Sequence, residues 1–300
     1  MERYLQYIDL HWWVGVEKRD IESWINNFGA NSELPRIILG HIIFYNEEQL
    51  KAYTRVLINR LKNKVYMDCV QKMGYSFIND EDLLEEWERF LQKTVFIPAS
   101  TGNPTDSAFK VTRYWRTEIK SESCVKSVDK IEALYKNGVR RFIFVDDFSG
   151  SGNQMADFLK TKIIINERSV EIGHLPDEFD DIEIIVALYV IHKKSKEKLN
   201  GDYPKVNLMA IDVLDDRASF LNEDSYIYKG LKPKQKREYV KAIKEINKTI
   251  LDENGEFREL SSYILNIPIV FQHGCPNNAL LLLFAHTDHW KQLFKRGNGR

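Results

Sequence analysis

The chain of 300 residues is poor in cysteine, with three residues of that type. Cys69, Cys124 and Cys275 are scattered, odd in number and without Cys-x-x-Cys spacing. That argues against a disulfide framework or a zinc site and makes a reducing cytoplasm the expected compartment. Net charge is nearly absent too: 43 basic and 44 acidic residues leave −1, so no global field draws the chain to nucleic acid or to an acidic membrane. Any nucleic-acid contact requires a local patch. Long apolar runs are missing; the stretch from Ala279 to Ala285 is far too short to span a bilayer. Met1-Glu2-Arg3-Tyr4 carries early charges and no apolar core of signal-peptide type. There is no internal repeat, no low-complexity tract and no Gly-x-x-x-x-Gly-Lys-Ser/Thr loop, the signature of one large class of nucleotide hydrolases.

What is present suits a soluble globular protein of one large domain or two modest ones, since 43% of residues are hydrophobic and 29% charged. Residues 1–92 read as helical. Ile21, Trp24, Ile25 and Phe28 share one helical stripe, the segment from Pro35 to Phe44 is a second apolar piece, and Leu50, Tyr53, Val56, Leu57 and Leu61 recur at helical spacing. Residues 81–92 form another amphipathic stretch. This region is expected to be an N-terminal cap or subdomain, or equally a platform for a partner protein. From residue 93 onward, strand-like runs alternate with helices. The segments 94–97, 142–145, 182–191 and 206–211 read as strands, and 127–137, 152–163 and 233–252 as helices. Residues 267–271 and 280–284 supply late strand or core segments. The alternation predicts an α/β domain over 93–300 with a mostly parallel sheet flanked by helices.

The most informative stretch is Arg141-Phe142-Ile143-Phe144-Val145-Asp146-Asp147-Phe148-Ser149-Gly150-Ser151-Gly152-Asn153-Gln154. It begins as a strand apolar on both faces, as a strand inside a parallel sheet must be. Such sheets bind ligands outside the carboxyl ends of their strands, where Asp146 and Asp147 emerge. Carboxylates there accept hydrogen bonds from vicinal ribose hydroxyls. Ser149, Gly150, Ser151 and Gly152 let backbone approach a phosphate, and the helix that follows aims free N–H groups at it. The Mg²⁺-binding strand of ATPases also ends in acids, but it requires the phosphate loop that this chain lacks. The acidic pocket of phosphate-receiving regulators does not require a Ser-Gly-Ser-Gly turn directly after the acids.

These residues resemble the phosphate-and-ribose loop of type I phosphoribosyltransferases, an apolar strand, two acids, a short spacer and Thr/Ser-Gly-x-Thr. Val145-Asp146-Asp147 and Ser151-Gly152-Asn153 match; Gln154 stands where that family usually has Thr or Ser. A wider set of segments is similar to the phosphoribosyltransferase-like domains of bacterial conflict and antiphage systems. The set comprises residues 144–154, Trp24-Ile25-Asn26-Asn27-Phe28, Phe96-Ile97-Pro98 leading to Tyr114-Trp115-Arg116, and Pro276-Asn277-Asn278-Ala279-Leu280. The last motif of that family is roughly Pro-Asn-Asn-Thr-Leu-Pro, from which Ala279 and Leu281 depart.

The resemblance implies a type I phosphoribosyltransferase-like fold and a site for phosphoribosyl pyrophosphate or a nucleotide. Asp146 and Asp147 would hold the ribose and Mg²⁺, and Ser149, Gly150, Ser151, Gly152, Asn153 and Gln154 the 5-phosphate. It implies a second loop for pyrophosphate, and the turn-rich segment 99–107, with Ser100, Thr101 and Gly102, lies in the right place by chain order. Arg113 and Arg116, three apart on the next helix, suit phosphate oxygens; ordinary exposed arginines are the alternative. Asn277 and Asn278 either hydrogen-bond a base or sugar or form a tight turn. The resemblance further suggests an effector with a defence-system partner.

His286 and His289 lack the further ligands of a metal site, and Asp215-Asp216-Arg217 reads as a turn or helix cap. Lys232-Pro233-Lys234-Gln235-Lys236-Arg237, followed by Lys241 and Lys244, reads as a solvated helix face, with nucleic-acid binding as the alternative.

Overall fold

The computed structural model describes residues 3–29, 31, 33–74, 79–100, 107–120, 127–253 and 264–296. In chain order the elements are α1 (Arg3–Asp9), α2 (Lys18–Asn26), α3 (Glu33–Leu39), β1 (Ile43–Tyr45), α4 (Glu47–Lys72), α5 (Asp80–Gln92), β2 (Thr94–Pro98) and α6 (Ser107–Ile119). They continue with α7 (Ile131–Lys136), β3 (Arg141–Ser149), α8 (Asn153–Leu159), β4 (Lys162–Ile165), β5 (Arg168–Glu171), α9 (Leu175–Glu178), β6 (Glu183–His192) and α10 (Lys193–Asp202). The last are β7 (Asn207–Leu214), α11 (Pro233–Glu253), β8 (Ile269–Phe271) and α12 (Leu281–Phe284). The chain folds as two compact units. One is Leu50–Val213; the other joins Met1–Gln49 to Leu214–Arg300.

The first unit is built on a sheet ordered β2-β3-β6-β7. β2 runs parallel to β3, and β3 parallel to β6, with Val145 opposite Ala187 and Asp146 opposite Leu188. Phe142, Ile143, Phe144 and Val145 are all fully buried, because helices cover both faces of the sheet. On one face Phe144 and Phe158 of α8 meet edge to face at 5.0 Å. On the other, Phe96 packs 5.0 Å from Trp115 of α6, and Tyr189 of β6 shares a 2.6 Å hydroxyl contact with Thr54 of α4. The architecture is thus the α/β fold with a mostly parallel sheet and N-terminal helices that the sequence pattern predicts.

One local difference has a clear cause. The helix expected over 152–163 ends at Leu159, and Ile163 instead lies in the antiparallel hairpin β4–β5. Its two-residue turn, Asn166-Glu167, has positive φ at both positions (51° and 66°), the geometry that lets a tight hairpin follow the strand twist. The segment 280–284, expected as strand or core, is core: it is buried throughout, with Leu281–Phe284 forming the short helix α12.

In the second unit, β1 pairs in parallel with β8, so a three-residue strand stands among the N-terminal helices. α2 buries Ile21 and Trp24, and Phe28, two residues past its end, is buried as well. Trp24 sits edge to face with Phe28 at 4.8 Å, and Phe28 with Trp290 at 5.1 Å. Asp215 caps the short 3-10 turn Asp216–Ala218 by accepting from the Arg217 N–H, which is the capping role its sequence suggests.

Candidate functional site

Asp146 and Asp147 stand near the carboxyl end of β3, each 5% exposed. The Asp147 N–H donates to Asp146 Oδ1 at 2.9 Å. The Ser107 hydroxyl, which opens α6, lies 2.9 Å from Asp147 Oδ1 and 3.2 Å from Asp146 Oδ1. Its single proton serves one oxygen at a time. Burial first, and the neighbouring Asp147 charge second, raise the Asp146 pKa well above the usual carboxylate range. The hydrogen bonds from Asp147 N–H and Ser107 oppose that push without cancelling it. A protonatable acid beside a second acid, at the end of a central strand, is the kind of perturbed pair that marks functional sites.

After Ser149 the chain turns into α8. Gly152 is the N-cap of that helix at φ 80°, in the left-handed region that favours glycine. A Cβ there would also stand 3.0 Å from both Cα and Oγ of Ser195. Glycine is therefore required twice at this position, for its conformation and for its close neighbour. Gly150 is buried, Ser151 and Asn153 half-buried and Gln154 exposed. The Asn153 N–H donates to Ser151 Oγ at 3.4 Å.

The neighbour itself was not signalled by any motif. α10 follows β6, the strand beside β3, and its first turn packs against the turn after the acids. Ser195 Oγ is 2.7 Å from Ser149 Oγ, and Lys198 Nζ donates to Asn153 Oδ1. Buried His192 caps α10, its Nδ1 accepting from the Lys194 N–H at 3.2 Å. The usable signal lay in topology: adjacent parallel strands deliver their carboxyl ends to one edge of a sheet. Two carboxylates, an amide-rich turn and a lysine-bearing helix thus meet at one edge.

The family model PRTase-CE, a phosphoribosyltransferase-like domain, matches residues 21–296. The chain belongs to the PRTase-CE family. Comparison with curated proteins and with solved structures finds no match to either. The PRTase-CE match runs through both compact units.

The remaining expected site residues of this PRTase-CE chain are placed as follows. Ser100, just past β2, is buried, and its N–H donates to the Pro98 carbonyl at 2.8 Å. Thr101 and Gly102 lie outside the described residues. Arg113 and Arg116 are exposed on α6, opposite its buried Val111 and Trp115. They lie about 9 and about 14 Å along the helix from Ser107, at 1.5 Å per residue. Asn277 and Asn278 belong to the other unit, where Asn277 Oδ1 accepts from Arg296 Nε at 2.9 Å and the Asn278 carbonyl accepts from the Leu265 N–H at 3.0 Å.

Among the described residues, no group of three or more His, Cys, Asp or Glu side chains is placed to hold a metal alone. The donor chemistry at Asp146 and Asp147 nevertheless fits Mg²⁺. That ion prefers hard oxygen ligands and takes one or two carboxylates together with substrate phosphates. A cation would also relieve the like-charge repulsion that raises Asp146. No helix among the described residues is long and apolar enough to cross a membrane.

Proposed function

We propose that the edge formed by β3, the turn to α8 and the start of α10 binds the ribose 5-phosphate part of phosphoribosyl pyrophosphate or a related nucleotide. The chain then transfers or hydrolyses the ribosyl phosphate, acting in the cytoplasm as an effector of a bacterial antiphage defence system. The observation that carries this reading is the near-buried pair Asp146 and Asp147 with a left-handed Gly152 opening α8 directly after them. Membership in a phosphoribosyltransferase-like family supports the chemistry, and the resemblance of the sequence motifs to conflict-system domains is what suggests the effector role.

In this reading Asp146 and Asp147 accept hydrogen bonds from the two ribose hydroxyls. The amides of residues 150–153 face the 5-phosphate, with the Lys198 charge beside them. Breaking the bond from C1 of the ribose to pyrophosphate leaves positive charge on the sugar, and the acceptor or water forms the new bond at C1. Two fixed carboxylates stabilise that charge electrostatically without reorganising. Mg²⁺, held by the same two residues, would supply charge neutralisation for the departing pyrophosphate.

Calorimetry with phosphoribosyl pyrophosphate and Mg²⁺ tests the site. The wild type is expected to bind, and Asp146→Asn with Asp147→Asn to lose binding while still unfolding cooperatively at a temperature no lower than the wild type. Unchanged binding in that double variant overturns the assignment. One observation favours a sensor without turnover: Gln154 replaces the hydroxyl residue of the family pattern and is exposed. Pyrophosphate release separates enzyme from sensor. Mass spectrometry of nucleotides in cells expressing the wild type or the double variant tests the effector role.

A further inference from the structure

In the unit that does not hold the acids, basic charge gathers on α11 and the turn before it. Between residues 229 and 248 there are eight basic and two acidic side chains, in a chain whose net charge is −1. The helix buries Tyr239, Val240, Ile243, Asn247 and Ile250, and the Tyr239 hydroxyl anchors it by donating to Glu33. Its other side is exposed. Lys234, Arg237, Lys241, Lys244 and Lys248 follow one another at spacings of three and four, all of them exposed. At 3.6 residues per turn they fall within about 80° of arc and extend along about 21 Å of helix. Lys234 and Lys241 have loose partners four residues on, Glu238 at 3.9 Å and Glu245 at 3.7 Å, pairs so exposed that they neutralise little. Arg237, Lys244 and Lys248 make no ion pair among the described residues.

We infer that this cationic stripe docks on the phosphate backbone of duplex DNA. A protein partner is disfavoured by composition, because interface cores are depleted of lysine and built on apolar or aromatic anchors, and the stripe presents neither. A single strand is disfavoured because unstacked bases need aromatic platforms, and the stripe itself carries none. What remains is a row of point charges with no base-reading side chains, which suits sequence-independent phosphate contact. The inference stands apart from the ribose-phosphate reading, since it uses none of that site's residues.

The test is fluorescence anisotropy of the full chain with labelled duplex DNA of about 20 base pairs, from 50 to 200 mM salt. Non-specific binding at about 10⁻⁴–10⁻⁶ M is expected, with a log–log salt slope of about −2.7 to −4.5 for three to five phosphates. Arg237→Glu with Lys244→Glu and Lys248→Glu should abolish measurable binding. The corresponding Gln triple variant should flatten the slope by about 2.7. Both variants should keep the wild-type circular dichroism and phosphoribosyl pyrophosphate binding. Absence of binding at 50 mM salt, equal binding by the Glu variant, or tighter binding to single-stranded DNA, to duplex RNA or to an acidic peptide would overturn the inference.

Discussion

Ser195 Oγ lies 2.7 Å from Ser149 Oγ, which joins the first turn of α10 to the end of β3. Both side chains are buried. The same Ser195 stands with its Cα 3.0 Å from the place a Cβ on Gly152 would take. The turn after the acids is therefore braced by a helix on the neighbouring strand. A loop held this way keeps its amides oriented, which would lower the ordering cost of binding the proposed 5-phosphate.

Gly152→Ala tests the brace. A left-handed alanine costs about 1–2 kcal/mol, and here its methyl also meets backbone that cannot swing aside. A total of about 2 kcal/mol should lower Tm by about 4–8 °C in a protein of roughly this size. Ser195→Ala removes only the hydroxyl contact and should cost about 1 kcal/mol. Calorimetric unfolding reads both. If the glycine variant melts with the wild type, the turn is not held by α10.

Asp146→Asn separates stability from binding. The folded state keeps a proton on Asp146 over a range where the unfolded chain, with an ordinary value of about 3.9, has released it. Because the folded state binds more protons there, stability falls as pH rises through that range. Asparagine cannot ionise and escapes the loss. The variant should therefore melt above the wild type at pH 7, by about 2–4 °C for each 1 kcal/mol gained, and the gap should close below about pH 3. Phosphoribosyl pyrophosphate affinity should fall by about tenfold or more. A variant less stable at pH 7 would mean that the fold stabilises the charged carboxylate.

The legible parts of this fold were those whose signal is local. The stretch 142–145 is apolar on both faces and ends in two acids and small residues, so the strand, the acids at its end and the turn could be read together. Amphipathic spacing located α2, α4 and α5. Other features depended on distant partners. β1 is three residues long and exists because β8 pairs with it. The run Ile163-Ile164-Ile165 has no periodicity to choose between helix and strand; the turn at Asn166-Glu167 decides for the hairpin. Leu281 to Phe284 is buried on every side, which erases the periodicity that would reveal a helix. Ser195 and Lys198 carry no motif, and only the order of β3 and β6 brings them to the acids.

The indoles of Trp24 and Trp290 converge on one carbonyl. Both Nε1–H groups donate to the Leu282 oxygen, at 2.7 and 3.1 Å, and all three residues are buried. A carbonyl has two lone pairs and can accept both. Trp24→Phe or Trp290→Phe alone removes one bond and leaves the oxygen satisfied by the other, so each should cost about 1 kcal/mol. The double variant strands the oxygen in the interior, where an unmet acceptor costs about 1–3 kcal/mol. The two changes should then be super-additive by about 1 kcal/mol in a urea-unfolding double-mutant cycle. Simple additivity, within about 0.3 kcal/mol, would mean that the Leu282 carbonyl finds another partner once both indoles are gone.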